Sequence, residues 1–262
     1  MGVKEDVGVK LPLILAFLFS TGSMVGWGIE VIFRRFFSSQ NPERKWVNPG
    51  FCTGPYLPLY GSGLCILYLL AIQEHYLSFL QLPYRRLALF AVMAVCMTGI
   101  EYIAGFYSLK VNHVRLWDYS DQWGNIQGII CPKFSLAWSI LGALYYFLIH
   151  PRILNALAWL AQNLAFSFVI GMFYGVFIVD LCQSAGVVAK LRAFAKENDV
   201  VVRYETIKEE IRTHVERSRG KTAFFRPLHA DPVLREHLNA FKERLESERV
   251  RVEQEIRERR GR

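Results

Sequence analysis

Charge is scarce through the first 182 of the 262 residues. Of 31 Lys and Arg, 19 lie in residues 183–262, leaving 12 ahead of them; of 23 Asp and Glu, 14 lie there, leaving 9. A soluble domain mixes apolar and charged residues along its length, so this segregation excludes one. It points to a membrane block, residues 1–182, followed by an aqueous tail, residues 183–262. Cysteine is equally uninformative as a motif. The five (Cys52, Cys65, Cys96, Cys131, Cys182) are scattered, with no CxxC and no Cys/His cluster, which gives no zinc or haem site and reads as buried thiols. His75, His113 and His150 are isolated, so no Ser/His/Asp or metal-spaced set presents itself and no catalytic residue, metal or cofactor is expected. The first apolar run follows Lys4 and Lys10 as in a signal peptide, yet it continues to about Phe33 without an A-x-A site and reads as an uncleaved span. A phosphate loop is also missing. Gly220-Lys221-Thr222 imitates the end of one, but Val215 stands where its first Gly belongs.

What is present is apolar: 52% of residues are hydrophobic and 14% aromatic, with a mean hydropathy of +0.20. Five segments, 11–33, 56–73, 87–109, 130–150 and 154–181, are long enough for a hydrocarbon core of about 30 Å. The fold class is therefore all-α, a polytopic bundle of about five spans with a charged helical tail. Pro12, Pro132 and the Pro55/Pro58 pair mark helix starts, and Pro151 ends the fourth span, so that His150–Ile153 would turn the chain into an antiparallel hairpin. Five spans put the termini on opposite sides. Arg34, Arg35, Arg44, Lys45, Lys110, Arg115 and the basic tail share one side, against Lys4, Lys10, Arg85, Arg86 and Arg152 on the other. The positive-inside rule then makes the tail cytoplasmic. The Trp residues mostly fall near span ends, as an interfacial belt requires.

Two connections on the tail side are neither helical nor solvated. Loop 34–63 holds WVNPGFCTGPYLPLYGSG, from Trp46 to Gly63, and loop 110–132 holds WDYSDQWGNIQGIICP, from Trp117 to Pro132. Both are rich in Pro, Gly and Tyr, and irregular backbone at membrane depth is tolerated only when buried in protein or lining a cavity. A weak parallel repeat links them. Gly28-Ile29-Glu30 matches Gly99-Ile100-Glu101; Trp46/Asn48 matches Trp123/Asn125; a Pro follows each Asn by seven residues, Pro55 and Pro132.

Buried charge converges on the same side. Glu30, Glu101 and Asp180 lie near the ends of spans that exit there, Lys133 starts one, and Asp118 sits in the connection. A carboxylate within a span costs about 2.5–3.5 kcal/mol on insertion scales, so each needs a partner or a cavity. Gly22, Ser23 and Gly26 share the Glu30 face, and Ala94, Thr98 and Gly105 the Glu101 face, so both Glu residues point into the bundle. One reading is structural pairing: Glu30 with Arg34, Glu101 with Lys133, Asp180 with Lys190 or a loop Arg. The other is a ligand or ion site of Glu30, Glu101 and Asp118, with Asn48, Tyr60, Tyr119 and Asn125 positioning the ligand.

These motifs resemble the bacterial family of CmpB-like ABC-transporter permeases, type IV. The resemblance rests on Gly26-Trp27-Gly28-Ile29-Glu30, on Val47 to Gly63, on Glu101-Tyr102, on Trp117 to Ser120, and on Asn125 to Gly128. It covers roughly residues 22–150, with Pro49 where an Arg is usual and Leu116 where a second Trp is. It implies a multi-pass protein of the bacterial plasma membrane, and the family's name implies transport. A permease of this kind works with a separate ATPase subunit.

The tail reads as helices over 183–217 and 231–260 with a break at Arg219 to Pro232. Leu234, Leu238, Phe241, Leu245 and Val252 form a heptad-like seam that Glu248 interrupts, which suits a solvated helix pair, a coiled-coil partner through 231–260 or contact with anionic headgroups. Interleaved Glu argues against nucleic acid. Three functions fit. The first is a transport component for a small solute or ion. The second is a membrane-embedded enzyme on a lipid-linked or amphipathic substrate, using carboxylates as acid and base. The third is a scaffold that recruits another protein subunit through its tail.

Overall fold

A computed structural model describes residues 4–38, 41–219, 234, 236–243 and 247. Of the expected break at Arg219 to Pro232, Arg219 ends the last described helix and the rest lies outside these residues, as do the Gly220-Lys221-Thr222 mimic, the seam residues Leu245, Glu248 and Val252, and the side chains of Lys4 and Lys10. The chain is an all-α bundle. Helix α1 is Lys4–Phe36, α2 Pro58–Ala71 and α3 Leu82–Asn112; α4, Pro132–Leu144, continues through a π-turn, Tyr145–Ile149, into α5, His150–Gln162; α6 is Ser167–Asn198 and α7 Tyr204–Arg219. Four stretches among the described residues are long and apolar enough to cross a membrane: Leu11–Phe36, Leu82–Asn112, Pro132–Leu160 and Ser167–Asn198. The expected second segment is the shorter one. Pro55 and Pro58 delay its start and a turn at Ile72–Gln73 ends it, leaving 14 residues.

The proline assignments need correction. Pro12 lies inside α1, whereas Pro58 and Pro132 do open helices, joined by Pro83 in α3. Pro151 does not end a span. The π-turn precedes it, and Pro151 then occupies the first turn of α5, where its missing N–H costs little. The chain reverses later, at Asn163 and the short 3₁₀ turn Leu164–Phe166. α3 and α6 each stop on a left-handed residue without glycine, His113 (φ 54°) and Asp199 (φ 52°).

α1 packs along α2, α3 along α4, and α2 against α3. Leu18, Leu67, Met93, Met97, Trp138, Tyr145 and Leu160 fill the centre. Residues such as Ile32, Val95, Ile103, Leu136, Met172 and Val176 face outward, the arrangement a lipid solvent requires. Lipid offers apolar faces no reason to associate, so close approach through small residues carries the packing. A Cβ at Gly22 would lie 2.9 Å from Leu64 Cβ, and one at Gly63 2.6 Å from Met97 Cε.

Beyond α6 the chain turns back onto the two loops. Strand β1, Val114–Arg115, pairs in parallel with β2, Val202–Arg203. Val114, Val202, Tyr204 and Ile207 form a second buried cluster with Leu191 and Ala195 of α6. Leu234 and Leu238 of the expected seam complete it, and Phe241 sits 5.9 Å from Phe194, so the described part of that seam is covered by this chain.

Candidate functional site

Glycine places the first carboxylate. A Cβ at Gly26 would overlap Cβ and Cγ of Tyr60, so α2 lies close enough to α1 for the Tyr60 hydroxyl to reach across. It donates to Glu30 Oε2 at 3.0 Å. Gly105 does the same for the second. Its bare backbone admits Ile129 and Trp117, which lays the loop after α3 against that helix. The Trp117 indole N–H fastens the loop to the Ile129 carbonyl at 2.9 Å. From this loop the Tyr119 hydroxyl donates to Glu101 Oε1 at 3.0 Å. Phe134 stacks on Tyr119 at 4.3 Å, and Trp138 packs on Tyr60 at 4.9 Å. Phe134 and Trp138, one turn apart on α4, thus link the two Glu–Tyr pairs.

Their surroundings differ. Glu30 is a fifth exposed and shares the Arg34 guanidinium, Nε to Oε1 at 3.0 Å. Glu101 is 2% exposed, and its Oε2 has no hydrogen-bond partner. Trp138 lies beside this carboxyl without closing to hydrogen-bond geometry. The expected Lys133 pairing does not form: Lys133 is exposed and its ammonium lies 5.6 Å from the Phe134 ring.

Arg34 also reaches out of the bundle, with Nη1 3.0 Å from Glu205 Oε2 in α7. Three further contacts hold that segment. Lys208 Nζ donates to the Asn48 and Gly50 carbonyls at 2.6 Å each, and the Tyr204 hydroxyl to the Phe51 carbonyl at 3.2 Å. Asp118 accepts from Arg115 at 2.9 Å and pairs with Arg203 at 3.1 Å. Partial burial pushes the Asp118 carboxyl up, but the Ser120 hydroxyl and N–H, Arg115 and Arg203 outweigh it and hold it below the usual carboxylate range. Gly128 (φ 67°) is required here, since a Cβ would sit 2.5 Å from Ser120 Oγ and 3.0 Å from Asp118 Oδ1.

Asn48 and Asn125 shape the loops. Asn48 accepts from the Trp27 indole at 2.7 Å and donates to the Thr53 carbonyl at 2.7 Å. Asn125 donates to the carbonyls of Ser120 and Gln122 and accepts from Gly128 N. Asp180 fastens the first loop to α6. It accepts from Tyr56 OH at 2.5 Å, Gly54 N at 2.7 Å, Thr53 N at 3.0 Å and Ser184 Oγ at 3.1 Å; these neutral donors stand where a cation was expected. Burial pushes the Tyr56 phenol up, and Asp180 adds to it; burial also pushes the Cys52 thiol up to about 12, with Asp180 adding and Lys208 opposing. Burial holds the Tyr119 phenol well above its ordinary value, so it stays a donor.

Of the seven ligand-site residues expected from sequence, the fold gathers Glu30, Tyr60, Glu101 and Tyr119. Asp118, Asn48 and Asn125 are engaged within the loops and with the tail. Trp138, Glu205, Arg203 and Lys208 were not anticipated. Trp138 follows Phe134 by one helical turn, a spacing that places both aromatics on one face of α4.

A family model described as "Putative ABC-transporter type IV" matches residues 17–185. The chain belongs to this family. The match contains both loops, both Glu–Tyr pairs and Asp180, and stops before Arg203, Glu205 and Lys208. No curated protein and no solved structure matches the chain. Family and helices together make it a membrane protein related to ABC transporters.

Proposed function

We propose that the chain is a permease-like transport component of the bacterial plasma membrane that handles a small solute or ion at the Glu30–Tyr60–Glu101–Tyr119 cluster. One observation carries the reading: two carboxylates inside a membrane bundle are each held by a tyrosine hydroxyl, and one of them keeps a buried oxygen without a donor. Intramembrane carboxylates are expensive, and they mark solute or ion pathways when they are not spent on structural pairs. The basic loops and tail support a cluster that faces the cytoplasmic side. The family name supports a separate ATPase as the partner that supplies energy.

Uptake in cells or proteoliposomes tests this. Glu30→Gln and Glu101→Gln keep the shape of each side chain and remove its ability to ionise. Both are expected to abolish uptake while leaving a folded protein; unchanged uptake in both would overturn the reading.

A further inference from the structure

We infer that Glu101 is a proton-binding site: in this state its carboxyl is neutral, carries the proton on Oε2, and releases it only when a cation or a hydrogen-bond donor arrives to replace it. The inference rests on reading the Glu–Tyr cluster as the functional site. It starts from an imbalance. Glu101 is 2% exposed, Tyr119 donates to Oε1, and Oε2 has no partner. An ionised carboxylate so placed would bear the full cost of burial with half of its hydrogen bonding missing.

The groups around it do not compensate. From α1 come Glu30, a like charge, and Arg34, whose guanidinium is already divided between Glu30 and Glu205. The guanidinium pairs with those two carboxylates, and Glu101 is not one of them. From α2 comes the Tyr60 hydroxyl, donated to Glu30. The second loop offers Tyr119, and α4 offers Trp138, which is neutral, and Lys133, exposed beyond Phe134.

A metal ion is the alternative neutraliser. Hard cations want six or more oxygen ligands or several carboxylates, and among the described residues no group of three His, Cys, Asp or Glu is gathered to hold one. A proton needs one oxygen and no cavity. Release breaks the Oε2–H bond and passes the proton to water, leaving a carboxylate that must be met by a cationic solute, by Arg34 swung from Glu30, or by water admitted past Tyr119. Proton loss is thereby tied to the arrival of a cation or a hydrogen-bond donor.

Infrared spectroscopy of the full chain tests this, with the protein reconstituted in ether-linked lipid, which lacks the ester carbonyls that overlap the carboxyl band. At pH 7 the wild type is expected to show a protonated-carboxyl C=O stretch that shifts down in deuterium oxide and disappears in Glu101→Gln. Tyr119→Phe removes the hydrogen bond to Oε1, so it should move the band to higher frequency without removing it. This variant assigns the band even where Glu101→Gln fails to fold. A wild-type spectrum with no such band, or a band unaffected by either substitution, would overturn the inference. No transport is needed for this readout. A Glu101 band alongside unaffected uptake in the Gln variants would retain the proton site and discard the transport reading.

Discussion

Arg34 joins the inside of the membrane bundle to the C-terminal segment: its Nε lies 3.0 Å from Glu30 Oε1 and its Nη1 3.0 Å from Glu205 Oε2. The guanidinium suits this task because its planar fork presents donors in two directions at once. Any change in the charge of Glu30 is therefore felt at α7. Glu205→Gln should loosen α7 from the loops at a cost of about 1–2 kcal/mol, between the values for exposed and buried pairs. Cys52 is a convenient reporter, being 3% exposed and next in the chain to Phe51, whose carbonyl accepts from Tyr204, with its thiol pushed up by burial to about 12. Maleimide labelling of Cys52 at pH 7 should be slow in the wild type and faster in Glu205→Gln. Equal rates would show that the pair does not hold the segment.

Gly26→Ala tests the close approach of α1 and α2. The added methyl overlaps the Tyr60 ring base, so either the helices part or Tyr60 leaves Glu30. Overpacking of this kind costs about 1–3 kcal/mol. Thermal unfolding in detergent should register the loss. Gly28→Ala, where a Cβ meets nothing within 4 Å, is the control expected to change little.

Asp180→Asn tests the attachment of the first loop to α6. The carboxylate accepts from two backbone N–H groups, Tyr56 and Ser184, and an amide nitrogen in place of either oxygen faces donors with a donor. The expected loss is about 1–3 kcal/mol. Hydrogen exchange at Thr53 and Gly54 should accelerate; unchanged exchange there would contradict the assigned role.

The Asp118 carboxyl predicts a pH dependence. Its folded pKa lies below the ordinary value of about 3.9, so its contribution is fully present above that value and is lost as pH falls through the folded pKa. The contact between the second loop and Arg203 should hold from pH 7 to about pH 5 and weaken below about pH 4. Asp118→Asn should weaken it at neutral pH and flatten that acid limb, as read by hydrogen exchange at Val114 and Val202. An acid limb equally steep in Asp118→Asn would assign it to another group.

Much of the bundle was legible because its signals are local. The Glu30–Arg34 pair follows from i,i+4 spacing, and the Gly22/Gly26 stripe from helical period. Pro151 misled because its effect depends on the turn before it: after the π-turn it opens a helix instead of ending one. Lys133 and Glu101 looked like partners because both lie near the same face, but a loop tyrosine donates to one oxygen of the carboxyl and the ammonium lies by an aromatic ring instead. Glu205, Arg203 and Lys208 were unreadable for a different reason. They sit in a segment of alternating charges that resembles any solvated helix, and their contacts exist only because the chain folds back across more than 80 residues.

Ligand-dependent thermal stability addresses the site most directly. The full chain, wild type and Glu30→Gln plus Glu101→Gln, would be unfolded in detergent across a panel of metabolites and ions. A ligand that binds only the native state raises stability by about 2.7 kcal/mol at a hundredfold excess over Kd. The cluster being a binding site predicts at least one compound that stabilises the wild type and has no effect on the folded double variant. A compound that stabilises both equally, or a panel that stabilises neither while the double variant simply unfolds, would contradict it and make the two carboxylates structural.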